Sequence, residues 1–191
     1  MTGVEPTGKR AVFLDRDGTI NVEREYLFRP EDFHFVPGAP EAIRLFREAG
    51  FLVVVVTNQS GVGRGYYDEA AVQELHRHMD SELAVAGTAV DAYYYCPHHP
   101  TAGNGIYLME CTCRKPLPGM LHQAAADLQI DLSRSWMIGD KLADVEAGQR
   151  AGCMTALVLT GYGAQDQELL PAGIAIYDDI LSAARAITAQ E

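Results

Sequence analysis

The sequence predicts an α/β fold of three layers: a central parallel sheet with helices on both faces. Three observations predict it. Short apolar segments alternate with helix-length amphipathic ones along the chain, the pattern of a parallel sheet built from strand–helix–strand units. The segment from Leu52 to Val56 is an unbroken aliphatic run, as a strand buried on both faces requires. Several apolar segments end abruptly in polar, turn-forming residues: Asp-Arg-Asp-Gly-Thr at 15–19, Thr-Asn-Gln-Ser-Gly at 57–61 and Gly-Asp-Lys at 139–141. That puts hydrogen-bonding groups beyond the carboxyl ends of strands, where open α/β sheets bind ligands.

Taken in order, residues 1–9 are expected to be a flexible tail, and Ala11 to Leu14 the first strand. Residues 21–37 form a long connection. Pro40 to Ala49 reads as a helix, with proline at its start and Gly50 just past its end. Leu52 to Val56 is the second strand, and 59–66 a glycine-rich loop. Asp68 to Ala86 is a helix capped by Asp68 and stopped by Gly87. Asp91 to Tyr95 is the third strand; its Tyr93-Tyr94-Tyr95 run suits aromatic packing. Residues 96–117 break the pattern and hold three cysteines. Pro118 to Leu128 is helical, Trp136 to Ile138 a strand, Lys141 to Ala151 a helix and Met154 to Leu159 a strand, which Cys153 opens as a core residue. Ile174 to Tyr177 is a short strand before a last helix, Asp179 to Ile187. With no repeat or linker, residues 1–191 are expected to form one domain.

Composition limits the partners. The chain has 191 residues, 48% of them hydrophobic, enough for one sizeable core. Its formal net charge is −11, which argues against a nucleic-acid partner, since that would call for a basic patch. No apolar run precedes the first strand, and Phe51 to Val56 is far too short to cross a bilayer. A soluble, cytoplasmic monomer without a membrane partner is expected. In that setting, crowded cysteines favour a metal over disulfides.

Asp15 and Asp17 are two carboxylates at a strand end. Held so close, they call for a cation or a proton, and Mg²⁺ is the natural guest for hard oxygen ligands. A carboxylate there can also attack phosphorus. Thr57 and nearby backbone N–H groups can hold phosphate oxygens. Arg114-Lys115-Pro116 puts two cations before a helix: Lys115 can neutralise a transferring phosphoryl group and Arg114 can fork onto a second phosphate. Arg64, in the glycine-rich loop, is an optional phosphate contact. Asp140 can complete a metal site with Asp15 and Asp17. Asp144, one turn on, either supports that site or stabilises its helix N-terminus. Cys96, Cys111 and Cys113 with one imidazole make a closed, tetrahedral, structural Zn²⁺ site. His98 is the fourth ligand and His99 the alternative. His34, His76, His78 and His122 read as surface or packing residues.

In this order, Asp-x-Asp-Gly-Thr, the threonine after the second strand, the lysine and Gly-Asp-x-x-x-Asp resemble the haloacid dehalogenase-like phosphatases. The cysteine stretch narrows the resemblance to the branch holding the heptose bisphosphate and histidinol-phosphate phosphatases. It implies a Rossmann-like core without a large cap domain and hydrolysis of a phosphorylated small-molecule sugar in bacterial surface-sugar synthesis. It makes Asp15 the nucleophile that forms an aspartyl-phosphate and Asp17 the acid, then the base. Thr57 and Lys115 become holders of the phosphoryl oxygens. Mg²⁺ is then held by Asp15, the Asp17 main-chain carbonyl and Asp140, and the four zinc ligands are Cys96, His98, Cys111 and Cys113. Arg114 becomes a substrate-recognition residue, with Glu23, Tyr26, Asn58, Gln59, Ser60 and Lys141 lining the site. Histidinol-phosphate hydrolysis is the alternative. A non-enzymatic zinc-bearing binding module is a second, disfavoured because Asp15 and Asp17 are both present.

Overall fold

The computed structural model describes residues 8–189. Six parallel strands are present: β1 (Ala11–Leu14), β2 (Leu52–Asn58), β3 (Ala92–Cys96), β4 (Trp136–Gly139), β5 (Met154–Val158) and β6 (Ala175–Tyr177). They form one sheet in the order β3-β2-β1-β4-β5-β6. The chain steps outward on one side of β1 and returns to fill the other, so β1 and β4 are adjacent and their carboxyl ends open side by side.

The helices are α1 (Ala39–Glu48), α2 (Ser60–Arg64), α3 (Glu69–Val85), α4 (Gly119–Leu128), α5 (Leu142–Ala151), α6 (Gly163–Asp166) and α7 (Ile180–Thr188). Alternation along β1 sends Val12 and Leu14 to one face and Ala11 and Phe13 to the other. The first face packs on Ile43 and Phe46 of α1, Leu75, Met79 and Leu83 of α3, and Ile187 of α7. The second packs on Leu121 and Ala124 of α4 and Ala147 of α5, with Cys153 at its margin. This is the expected three-layer arrangement, and none of the described helices is long and apolar enough to cross a membrane.

Details differ from the sequence reading. Residues 60–64 are helical rather than loop, because Gly65, left-handed at φ 77°, stops the turn one residue after Arg64. The β2 and β3 strands each run further than expected, so Thr57 and Cys96 lie on strands. Residues 1–7 of the expected tail fall outside the described residues, but Lys9 is tied down: its N–H donates to Gln129 at 2.9 Å and its carbonyl accepts from Asp131 at 2.8 Å. On the edge strand, Tyr93 and Tyr95 donate to Asp80 and Glu69 of α3, each at 2.6 Å. Tyr94 points to the other face and donates to Asp127 of α4 at 2.9 Å.

Candidate active site

The carboxyl ends of β1, β2 and β4 converge on a cavity of about 420 Å³. Asp15, just past β1, is 5% exposed, and its Oδ1 lies 2.9 Å from Lys115 Nζ. The same ammonium lies 2.7 Å from Asp144 and donates to Val56 O at 2.7 Å. Lys115 is held from β2: the Asn58 side chain donates to its carbonyl at 3.0 Å and accepts from its N–H at 3.1 Å. Burial opposes the lysine's charge, but Asp144 and Asp15 outweigh it and hold the ammonium above its usual range. Burial pushes the Asp15 carboxyl up to about 6, against the pull of Lys115.

Asp140, just past β4, has no exposure. Its Oδ2 accepts from the Tyr162 N–H at 2.8 Å, while its Oδ1 is buried without a partner. Burial, then the neighbouring Asp15 and Asp144, push its carboxyl up to about 8. The space around it is reserved by two glycines. A Cβ on Gly18 would stand 2.2 Å from Asp140 Oδ2, and one on Gly161 2.1 Å. Oxygens of Asp15, Asp140 and Asp144 all lie within 4.8 Å of one another. Asp15 and Asp144 share the ammonium of Lys115, whereas Asp140 Oδ1 has no partner. This hard, oxygen-only donor set suits a divalent cation such as Mg²⁺.

The Asp17 side chain lies outside this group, which leaves only its main-chain carbonyl to serve a metal. Its two oxygens are taken by Arg16, at 2.9 to 3.2 Å, by Asn21 at 3.1 Å and by Gln59 at 3.1 Å. Burial acts against its charge, yet the Arg16 guanidinium and these hydrogen bonds hold its carboxyl below the usual range. Of the two roles expected for Asp144, the helix one is seen: its Oδ2 accepts from the Lys141 N–H at 3.0 Å, capping α5, while Oδ1 meets Lys115 at 2.7 Å.

The remaining expected residues line the same cavity except Arg64, which lies outside its wall. Glu23 and Lys141 pair across it at 3.1 Å. Tyr26, Ser60 and Arg114 line its rim. Gln59 contributes less than expected to a ligand, because both ends of its amide are spent internally. Its Nε2 donates to Thr57 Oγ1 at 2.8 Å as well as to Asp17, and its Oε1 accepts from Tyr67 at 2.8 Å. The Thr57 hydroxyl proton is thereby left free to donate.

Beside the cavity, Cys96, His98, Cys111 and Cys113 gather. The Cys113 sulfur lies 3.1 Å from Cys96, 3.3 Å from Cys111 and 3.4 Å from His98 Nδ1. Of the two adjacent histidines, His98 enters the cluster; His99 turns away toward Arg64. Hydrogen bonding from the Cys96 thiol draws Cys113 down to about 5. Three sulfurs and one imidazole in mutual contact suit a structural Zn²⁺.

Comparison with known proteins then decides the family. The HAD-hydrolase-like family model matches residues 112–185. The D-glycero-β-D-manno-heptose-1,7-bisphosphate 7-phosphatase of Haemophilus ducreyi is 48% identical over 81% of this chain and 85% of its own. The chain belongs to the heptose bisphosphate phosphatase family. The relative of the same name in Pasteurella multocida is also 48% identical, over 80% of this chain and 83% of its own. A crystal structure of the B. bronchiseptica D,D-heptose 1,7-bisphosphate phosphatase, complexed with magnesium and phosphate, superposes with a TM-score of 0.86. It is 36% identical and covers 95% of this chain and 99% of that one.

Within that family frame, sequence reasoning missed three groups. Arg16 is fully buried and grips Asp17 as well as the Leu27 carbonyl at 3.3 Å. An arginine between two acids was its only signal. His76, read as an ordinary packing residue, is buried with Nε2 3.5 Å from Arg16 and its ring stacked on Tyr93; burial pushes its pKa down to about 3. Gly161 and Tyr162, which bracket Asp140, sit in a loop that carries no chemical motif.

Proposed function

We propose that this chain is a Mg²⁺-dependent phosphatase that removes the 7-phosphate of D-glycero-D-manno-heptose 1,7-bisphosphate through an aspartyl-phosphate on Asp15. We place it in bacterial surface-sugar synthesis, acting as a cytoplasmic monomer with Zn²⁺ as a structural ion. The observation that carries the reading is the convergence of a buried nucleophilic carboxylate, a buried lysine and an orphaned Asp140 oxygen at one sheet edge, in a chain of this family.

Asp15, Asp140 and the Asp17 carbonyl would hold Mg²⁺, which when bound supplies positive charge against the phosphoryl oxygens. Asp15 attacks phosphorus as the bond to the C7 oxygen breaks; Asp17, which Arg16 holds toward its ionised form in the free site, takes up a proton as the substrate displaces water and gives it to that oxygen. Water then attacks phosphorus, Asp17 takes its proton, and phosphate leaves with Asp15 regenerated. Lys115 and the free Thr57 hydroxyl offset charge on the transferring group, as loose phosphoryl transfer demands. Asn58 acts by fixing the Lys115 main chain.

The test is phosphate release with Mg²⁺, comparing kcat/KM for both anomers of the heptose bisphosphate with that for histidinol phosphate. A strong preference for either bisphosphate anomer is expected. A preference for histidinol phosphate would move the chain to that alternative and leave the Asp15 chemistry standing.

Metal binding is expected to depend on pH. Asp15 and Asp140 are raised toward about 6 and about 8, so each holds a proton below that value and must lose it to become a ligand. The half-saturating Mg²⁺ concentration should therefore fall about tenfold or more between pH 6 and 8. Magnesium titrations of activity at fixed pH check this; a flat response would mean that these carboxylates do not ligate.

A further inference from the structure

Next to Tyr26 and Arg114 of the cavity wall, though not lining the cavity itself, a group of hydrogen-bond donors is short of acceptors. Arg64 ends α2, and its Nη2 lies 3.1 Å from His99 Nε2. The other ring nitrogen of His99 already faces the backbone N–H of Thr101 at 3.2 Å and of Ala102 at 2.9 Å. A neutral imidazole offers one accepting nitrogen. If Nδ1 accepts the two backbone bonds, Nε2 carries the proton and aims it at a guanidinium. If Nε2 accepts from Arg64, two backbone N–H groups meet an N–H instead. Every assignment opposes donor to donor, and the first keeps the larger number of bonds. Arg64 Nε is itself buried without a partner. Unpaired buried donors are costly, so a cluster of them points to an acceptor brought from outside.

The surroundings indicate an anion. Among the described residues, no carboxylate lies within ion-pair distance of Arg64 or of Arg114, although the chain is strongly acidic. Arg114 donates to the carbonyl of His98, the neighbour of His99, at 3.3 Å. The Arg64 guanidinium also lies 5.9 Å from the ring centroid of Tyr26, which lines the cavity. Tyr26 has φ 58°, a left-handed backbone uncommon outside glycine and concentrated at ligand clamps. The two halves of the group are pressed together: a Cβ on Gly63 would come within 2.7 Å of Pro97 O.

We propose that Arg64 and His99 extend Arg114 into the subsite for the second phosphate of the substrate, sharing one of its oxygens. Donors this close can both reach an oxygen about 2.8 Å away, the length of a charge-assisted bond. This rests on the bisphosphate reading, and it makes two further residues, one on α2 and one on the zinc-carrying loop, determinants of specificity.

The test compares kcat/KM for the heptose 1,7-bisphosphate with that for the heptose 7-phosphate, which lacks the second phosphate. Arg64→Gln and His99→Gln are each expected to lower that ratio tenfold or more, mainly through KM, and Arg64→Lys to recover part of it. Zinc content is measured alongside; for a glutamine variant that has lost zinc, Arg64→Lys decides. An unchanged ratio, whether or not total activity falls, would overturn the proposal. A wild-type enzyme that does not distinguish the two substrates would overturn the bisphosphate reading and the subsite with it. Wild-type discrimination with unchanged variants would overturn the subsite alone.

Discussion

Asp15→Asn is expected to lower phosphate release by at least about four orders of magnitude while the fold survives. The amide cannot attack phosphorus, and nothing beside it can take over: Asp17 is gripped by Arg16, Asn21 and Gln59, and Asp144 is held by Lys115 and the α5 N-terminus. Stability should be unchanged or higher. The substitution removes one of three crowded, buried carboxylates, and Lys115 keeps its 2.7 Å partner Asp144. Single-turnover phosphate release and a thermal melt measure the two arms. Turnover at the wild-type rate would remove Asp15 as nucleophile. A collapsed melting temperature would mean that the carboxylate is kept for the fold.

Loss of the cysteine-cluster metal is the second large effect. Purified protein is expected to carry one tightly held Zn²⁺ per chain, and Cys113→Ser to lose it. Structural zinc contributes directly to folding free energy, so the melting temperature should fall by roughly 10 °C or more. Activity should fall with it. Cys113 precedes Arg114 and Lys115 directly, and displacing catalytic groups by about 1 Å costs on the order of a hundredfold. Metal analysis, melting and kcat/KM of the variant check these together. A variant without zinc that melts and turns over like the wild type would leave the cluster without a structural role.

Much of this was legible because strand ends in a parallel sheet are both a chemical and a sequence boundary. The apolar run of β1 stops where Asp15 begins, and that of β4 stops at Gly139-Asp140. The cysteine–histidine cluster was legible as composition, since cysteines crowded into one short stretch point to a shared ligand. The choice between His98 and His99 was not, because it depends on which way each side chain leaves a loop. Nor was the fate of the polar residues at the end of β2 and just past it. Asn58 and Gln59 look like ligand contacts, but their amides are spent on Lys115, Thr57 and Asp17. Arg16 lay hidden for the same reason. Its burial is stable only because Asp17, Leu27 and Gln59 arrive from three segments, and no local pattern records such a meeting.

The tyrosine run on β3 carries no chemistry, yet it works as an alignment gauge for the cysteine–histidine cluster. A strand at the edge of a sheet has one neighbour and is the easiest to mis-pair by a residue, which would turn every side chain to the opposite face. Here each of three consecutive hydroxyls meets a carboxylate on the proper side: Asp80 and Glu69 on one face, Asp127 on the other. A slip of one residue would break all three bonds together. The next residue along is Cys96, so the three bonds that count off the strand also deliver the first sulfur to its three partners.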